Sequence, residues 1–448
     1  MSGGIFDMNI SKKRPGTYLN FKSKKGQKVK GSSRGIAIVP LIDLGWGVNG
    51  TMLKISNASP DAYAVQLGHS VYDANNNMLL IREILKNAVT CYAYIINNGT
   101  AASVEAGGMT ITATYAGTRG NDISVACVAN ATEGSKFDVK VYLDTNIVEQ
   151  YEKVGTIAEL ISASSGLYVK FSAVETSAAL QAFAVAKLTG GTNTKSANSD
   201  VSAFLDACEG VKFNTMCFPV TESSLQAAAT SKIKYLRDNV GKYVQAVMPD
   251  CSANYEGIIN VTNSVTIDGV DLTNAQACAW VTGITAAAEK TESNTYAEYS
   301  EATAVVGVKT NEQAELAIDN GEFFFSMSEE GKVIVEYDIN SLHTFTADRT
   351  EDYRKNRVMR VYDSFAEDIK MTFPPNKYSN DETGWLVMEG LGRALLNTYV
   401  NDGAISDVSA EEDFYVDQER SIGDQTYFNV GLKAVDSAEK LYFSVSTR

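Results

Sequence analysis

Alternating strand and helix patterns lie on both sides of a segment that shows mainly strand patterns, and this arrangement restricts the possible folds most. Residues 35–97 contain an apolar β-branched run (GIAIVPLI), then helical spacing in NNNMLLIREILKNAVT and another strand pattern in CYAYII. The alternation resumes over residues 196–345, where Gly283 inside an Ala-rich helix predicts a point of close packing. Because this order is typical of an α/β layer, we predict one discontinuous core domain, 35–97 with 196–345.

The intervening segment, residues 98–195, is rich in Thr, Val and Gly. Apolar and polar residues alternate in MTITATY, ISVACVA and FDVKVYL, and turn-forming sequences such as AGTRGND and NATEGS separate these stretches. This pattern predicts short strands joined by tight turns. We therefore predict a β-rich domain inserted into the core domain.

Residues 346–448 are predicted to form a C-terminal domain with two helices separated by Pro374–Pro375. The first helix, over Glu351–Lys370, has an apolar stripe beside a charged side. Two alternating strands follow, and a terminal arm of about residues 426–448 ends in Leu441, Tyr442, Phe443, Ser444 and Val445. The whole chain is thus predicted to be a mixed α+β and α/β multidomain protein.

The N-terminus, residues 1–34, is a basic arm on an acidic protein. It holds nine Lys or Arg and a single acid, Asp7, whereas the formal charge of the whole chain is −15. A short strand pattern inside this arm, Thr17, Tyr18, Leu19, Asn20 and Phe21, has no hairpin partner nearby. Unpaired strands at both ends of a chain predict donation to the sheet edges of neighbouring molecules.

Catalytic signatures are missing from the sequence. Its six cysteines form no CxxC pair, and neither His69 nor His343 lies in a nucleophile, zinc or catalytic-loop motif. The segment GGTNTKS resembles a phosphate-binding loop, but Thr194 replaces the last glycine that such a loop requires. We therefore predict a protein that is not an enzyme, with no catalytic, cofactor-binding or metal-binding residues.

The sequence also bears on compartment and partners. It contains neither a signal-peptide pattern nor an apolar stretch of membrane-spanning length, which predicts synthesis in the cytoplasm without membrane insertion. The acidic majority of the chain argues against nucleic acid as the main partner. A basic-armed nucleic-acid-associated or capsid-type assembly protein, with residues 12–34 on phosphates, remains the alternative.

Several segments together resemble the contractile tail sheath proteins of myophages and R-type bacteriocins, in the version found in Gram-positive bacteria. They include KRPGTYLNF, RGIAIVPL, NYEGIINV and AWVTGITAAAEKTESNTY, then YRKNRVMRVYDSFAEDI, GWLVMEGLGRALLNTY and GLKAVDSAEKLYFSV. Together these segments cover most of the chain outside residues 98–195, and their order and spacing make the match specific.

The resemblance implies a structural subunit that polymerises as stacked rings around an inner tube and contracts to drive the tube through a bacterial envelope. Implied partners are further copies of the chain, the tube protein, and baseplate and tail terminator proteins. The implied location is a phage tail or bacteriocin particle. The β-rich composition of residues 98–195 and their polar exit NTKSANSD predict a self-contained domain on the outside of that particle. Arg354, Lys355 and Arg357, on the charged side of the first C-terminal helix, are predicted to contact the tube.

Overall fold

The computed structural model describes residues 34–447 and, before them, the backbone of two short strands, β1 (Ser2–Gly4) and β2 (Gly16–Tyr18). These strands pair in parallel, with Gly3 opposite Thr17. Thr17 and Tyr18 of the predicted arm strand therefore do have a partner in their own chain, contrary to the expectation of an unpaired strand. Residues 19–21 lie outside the described residues.

The first part of the core domain supplies three strands and a helix pair. In order, these elements are β3 (Ile36–Ile42), β4 (Met52–Ser56), α1 (Ala64–Leu67), α2 (Asn76–Leu85) and β5 (Thr90–Ile96). Apolar β-branched residues make β3 and β5 suitable for a sheet interior, because both faces of each strand are covered. The side chain of Asn75 caps α2 by accepting the N–H groups of Asn77 and Met78.

The inserted segment is β-rich, as predicted. Its elements are β6 (Gly99–Thr100), β7 (Ser103–Ala106), β8 (Met109–Ala113), β9 (Ile123–Ala129), β10 (Phe137–Leu143), β11 (Asn146–Val154), α3 (Ile157–Ala163), β12 (Val169–Ser172), β13 (Phe183–Lys187) and β14 (Thr192–Asn193). One sheet has the order β11-β10-β9-β13 and another the order β12-β8-β7, while β14 pairs with β6 where the segment joins the core. The two larger sheets share one apolar cluster.

The second part of the core domain completes the central sheet. Its elements are α4 (Asn198–Ala207), β15 (Thr215–Cys217), α5 (Ser223–Tyr235), β16 (Gln245–Pro249), β17 (Ile258–Val261), β18 (Ser264–Ile267), β19 (Val270–Asp271), α6 (Asn274–Ala287), β20 (Ala302–Val306), α7 (Asn311–Asp319), β21 (Glu322–Phe323), β22 (Phe325–Met327) and β23 (Val333–Val335). Strands β22 and β23 form the predicted hairpin about Glu329–Gly331.

Seven strands form the central sheet, in the order β21-β17-β16-β15-β3-β5-β4. All neighbours are parallel except β4, which pairs antiparallel with β5. Helices α2 and α6 contribute to the apolar cluster on one face, and α4 and α5 to the cluster on the other. The predicted close-packing role of Gly283 is confirmed, because a Cβ atom there would lie 2.6 Å from the carbonyl oxygen of Ile84 on α2.

The C-terminal part contains two long helices and a hairpin: α8 (Asn356–Thr372), α9 (Glu382–Asn401), β24 (Phe414–Asp417) and β25 (Tyr427–Val430). Helix α8 begins later than predicted, since residues Glu351–Arg354 form a 3-10 turn. Short helical turns elsewhere cover Pro60–Tyr63, Thr118–Asp122, Cys208–Gly210 and Leu236–Val240. An apolar cluster between α8, α9 and the hairpin holds this part together.

Candidate assembly interface

The last described residues form an exposed apolar tail, Leu441–Val445. The side chains of Leu441, Tyr442, Phe443 and Val445 have between 66% and 89% of their surface exposed. The tail belongs to no strand of the described structure, so the strand predicted here is not formed in the isolated chain. Fully burying one large apolar side chain contributes ~1.5–3 kcal/mol. Four exposed positions of this kind within five residues favour contact with another surface.

One edge of the hairpin β24–β25 is covered by side chains of α9. The N–H of Val416 donates to Glu389 Oε1 at 2.9 Å, and Arg393 Nε donates to the carbonyl of Phe414 at 3.4 Å. Glu389 and Arg393 also pair with each other, four residues apart on α9. Two of the outward backbone groups of β24, the N–H of Val416 and the carbonyl of Phe414, therefore already have partners on α9.

The other edge of the hairpin, along β25, is open. Along an antiparallel pair, backbone groups alternate between facing the partner strand and pointing away from it. The backbone N–H of Val416 and the backbone carbonyl of Phe414 point away from β25. Phe414 lies opposite Val430, and Val416 lies opposite Phe428. Backbone groups of Phe428 and Val430 thus point away from β24, where the described structure has no further strand. This edge offers donors and acceptors to an added strand.

The N-terminal arm joins the core at Arg34. Its guanidinium donates to the carbonyl groups of Ala288 and Thr285, at the C-terminal end of α6. Carbonyl groups at a helix C-terminus carry partial negative charge and attract a cation. Burial and then the neighbouring Arg360 lower the pKa of Arg34 to about 10. The root of the arm is therefore held against the core domain.

The three cations predicted to contact an inner tube are buried in the subunit. Arg354 donates to the carbonyl of Ile318, and Lys355 contacts Glu439 and Tyr337. Arg357 donates to the carbonyl groups of Thr291 and Val435. Their location argues against the predicted tube contact, because their charged ends are directed inward and already have partners. The sequence showed a charged helix side, but it did not show which segment packs against that side.

The segment that resembles a phosphate-binding loop has a structural role in the fold. Thr192 and Asn193 form β14, and the N–H of Thr194 donates to the carbonyl of Asn98. Ser196 Oγ donates to Asp43 Oδ1 at 2.5 Å. A phosphate cradle needs backbone N–H groups that converge on one point. The described contacts instead close the inserted segment onto the core.

The two histidines also have structural contacts. Nδ1 of His69 lies 3.4 Å from Asp73, and burial, followed by the charge of Arg119, lowers the pKa of His69. Nδ1 of His343 lies 2.9 Å from the carbonyl oxygen of Ser341. Within residues 34–447, no three or more His, Cys, Asp or Glu side chains are placed to hold a metal ion. No helix in that range is long and apolar enough to cross a membrane.

Comparison with protein families matches three consecutive parts of the chain. Residues 97–193 match the phage tail sheath protein beta-sandwich domain, residues 194–341 the central domain, and residues 348–448 the C-terminal domain. A sheath tail protein of Desulfitobacterium hafniense is 37% identical, with a TM-score of 0.84 over 96% of this chain and 99% of the other. The chain belongs to the phage tail sheath family.

Two further matches place this tail sheath protein among its relatives. The phage-like element PBSX protein XkdK of Bacillus subtilis (strain 168) is 33% identical, and the match covers 99% of each chain. The contracted helical sheath of the anti-feeding prophage shares the fold, with a TM-score of 0.57 at 14% identity over 98% of this chain and all of the other. The resemblance noted in the sequence is thereby confirmed.

Sequence reasoning missed several residues of the tail sheath protein that the structure makes prominent. Glu389 and Arg393 close one hairpin edge, and their four-residue spacing on a helix was a readable signal for an ion pair. Trp46 and Glu439 contact residues far away in the sequence, so no local pattern pointed to them.

Proposed function

We propose that this tail sheath protein polymerises as stacked rings around an inner tube and that strand exchange joins its subunits. The proposal rests on one observation, namely that the same chain carries both an unpaired apolar segment and a strand with an open edge. Among the residues that the structure describes, the exposed apolar tail pairs with no strand, and one edge of β25 is open. The tail of one copy supplies the strand, and the edge of another copy accepts it. The N-terminal arm strand at Thr17–Phe21 is also proposed to be donated to a neighbouring copy, for which Thr17 and Tyr18 must give up their pairing with β1.

Contraction in this proposal needs no nucleotide. The extended sheath is a kinetically trapped lattice that relaxes when subunits rotate as rigid bodies, while the arms act as hinges. The energy is released by new contacts between subunits, and it drives the tube through a bacterial envelope. Tube, baseplate and terminator proteins are the proposed partners, in a phage tail or bacteriocin particle assembled from subunits made in the bacterial cytoplasm.

Electron microscopy of the purified protein tests assembly directly. Wild-type protein is expected to form striated sleeves. Val430→Pro removes a backbone N–H that points out of the hairpin, so it should block strand addition while leaving the β24–β25 pairing in place. Val430→Thr keeps that N–H and serves as the matched control.

Sleeves of normal yield from a folded Val430→Pro protein would contradict strand exchange at this edge. Monomers that bind DNA in a salt-sensitive way would favour the nucleic-acid alternative.

The predicted absence of catalysis is tested separately by a measurement of ATP turnover. Turnover that Lys195→Ala abolishes would show that the segment GGTNTKS is a working nucleotide site.

A further inference from the structure

The chain segment between β25 and the apolar tail packs back against the C-terminal part of its own subunit. Ala434 forms a β-bridge with Ile405, and the N–H of Val435 donates to the carbonyl of Ala404. Arg357 Nη1, at the start of α8, donates to the carbonyl of Val435 at 2.6 Å. The segment is therefore held from its first residues onward.

Glu439 is the anchor of this segment. Its side chain is only 9% exposed, although it lies two residues before the exposed tail. One oxygen, Oε1, accepts hydrogen bonds from Ser293 Oγ and Thr295 Oγ1, each at 2.7 Å. The other oxygen, Oε2, pairs with Lys355 Nζ. A buried carboxylate with three donors is held much more firmly than an exposed one.

The two hydroxyl groups are oriented for this carboxylate. Ser293 Oγ accepts the N–H of Thr295, and Thr295 Oγ1 accepts the N–H of Asp338. Because each oxygen accepts from a backbone N–H, its own hydrogen is available to donate. Thr295 donates to Glu439, and the Ser293 hydrogen is shared between Glu439 Oε1 and the more distant Thr295 Oγ1, at 3.1 Å. The pocket therefore consists of donors directed at one carboxylate.

Lys355 supplies the positive charge of the pocket. Its Nζ also lies 3.3 Å from Asp436 and 3.0 Å from the hydroxyl of Tyr337, whose ring it covers. Burial by itself would lower the pKa of Lys355, but the hydrogen bonds to Glu439 and Tyr337 and the two acidic charges outweigh it and raise that pKa. The ammonium group stays charged while it holds the segment.

We propose that Glu439 and its pocket, Ser293, Thr295 and Lys355, form a latch that fixes where the C-terminal arm leaves the subunit. The inference rests on the proposed role of the tail in strand exchange and adds a control element to it. With the latch closed, the free arm begins at Leu441. When the latch opens and the contacts of Val435 with Ala404 and Arg357 are lost with it, residues 435–440 join the free arm. They lengthen its reach by about 20 Å, at ~3.3 Å per extended residue.

Because the pocket combines residues just before α8 with residues after α6, the latch ties the arm to both the core and C-terminal domains. A closed latch therefore makes the donated strand follow any rotation of the whole subunit. An open latch would let the subunit rotate without moving the strand. Subunit spacing in the sleeve should depend on which state prevails.

Hydrogen exchange on the full-length chain under conditions that keep it monomeric tests the latch itself. Glu439→Gln removes the charge but keeps the side-chain size, and Ser293→Ala removes one donor in case the first variant folds poorly. Glu419→Gln, at an exposed acid in the β24–β25 connection, is the matched control. The amide of Val435, which donates to the carbonyl of Ala404, should exchange roughly tenfold faster or more in Glu439→Gln, with β3 unchanged. Unchanged exchange in both latch variants would overturn the proposal.

Sleeve formation tests the consequence for assembly. Glu439→Gln should form sleeves of lower yield or altered subunit spacing, whereas Glu419→Gln should match wild type. A released segment with sleeves of normal yield and spacing would overturn the role of the latch in assembly. Failure of strand exchange itself has a different signature, namely normal sleeves from Val430→Pro, and it leaves the hydrogen-exchange comparison interpretable.

Discussion

The indole of Trp46 lies edge-on to the ring of Tyr115, with ring centroids 5.1 Å apart. Trp46 belongs to the connection between β3 and β4 of the core domain, whereas Tyr115 belongs to the inserted segment. The indole is fully buried in the apolar cluster of that segment, where it also contacts Tyr168, and its Nε1–H donates to the carbonyl of Val65 at 2.8 Å. The core domain thus supplies a central residue of the inserted β-rich domain.

Trp46→Ala is expected to destabilise the inserted domain strongly. Removal of a large buried aromatic side chain costs ~3–5 kcal/mol, because lost burial and a residual cavity add together. In thermal unfolding of the full chain, the Trp46→Ala protein should show a transition at a lower temperature than the wild-type protein. By the same reasoning, an isolated 98–195 fragment should unfold at a lower temperature than a fragment that begins at residue 43. Equal midpoints for the two fragments would show that Trp46 contributes little.

Arg360→Met is expected to destabilise the junction of core and C-terminal domains. Arg360 and Asp338 are each about 1% exposed, and their charged atoms lie 2.6 Å apart. Loss of Arg360 removes the counter-charge of a buried carboxylate, which keeps only hydrogen bonds from Asn294 and Asn356. This loss costs ~3–5 kcal/mol, more than loss of both charges. Denaturant unfolding checks this prediction by comparing the free energy of unfolding of Arg360→Met with that of the wild-type protein. The double variant Arg360→Met with Asp338→Leu should recover part of the loss, and a double variant as unstable as the sum of both single variants would contradict the pairing.

Gly392→Ala and Gly390→Ala should have opposite effects on the C-terminal domain. Both glycines lie in α9, but a Cβ atom at Gly392 would fall 2.0 Å from the ring of Phe414, whereas nothing lies within 4 Å of the equivalent point at Gly390. Overpacking should cost ~1–3 kcal/mol at residue 392. The gain in helix propensity should stabilise by ~0.5–1 kcal/mol at residue 390. Melting temperatures that move in the same direction for both variants would contradict this packing.

The buried cysteines should make the fold sensitive to alkaline pH. Burial raises the pKa of the Cys217 thiol to about 12, and those of Cys127 and Cys208 to about 11. Because these folded values exceed the ordinary value of 9.0, the stabilisation is complete below pH 9 and declines as the pH rises through the folded values. Native protein should react slowly with a thiol reagent at pH 8. Fast labelling of these thiols without unfolding would contradict the burial.

Removal of residues 1–30 should abolish sleeve formation and leave the melting temperature unchanged, because Arg34 and its contacts to α6 remain. Leu19→Pro is expected to act similarly, since proline removes a ladder donor. Charge reversal at Lys22, Lys24 and Lys25 should only slow assembly, in a salt-dependent way. Electron microscopy and thermal unfolding separate these outcomes. A truncated protein that unfolds would show that the arm packs on its own subunit.

Local patterns in the sequence were sufficient for most of the elements and for the family, but not for the strand expected at Leu441–Val445, because a strand forms only where another segment pairs with it. The apolar β-branched runs at β3 and β5 reflect strands that are covered on both faces. Helical spacing in α2 and α9 and alternation in β8 and β10 reflect segments that contact the core on one side. The hairpin about Glu329–Gly331 and the close approach at Gly283 were likewise predicted from a few neighbouring residues. Those features depend on spacing along the chain, which the sequence contains.

Contacts between distant residues were decided only by the tertiary structure. Arg354, Lys355 and Arg357 look like a solvated helix side in the sequence, but the segment at residues 435–440 and the core cover them. Trp46 looks like a loop residue, yet it completes the core of another domain. Whether a charge or an aromatic ring is exposed depends on which remote segment packs against it. That choice follows from the free energy of the whole fold, because burial and pairing are gained only once all the partners are in place.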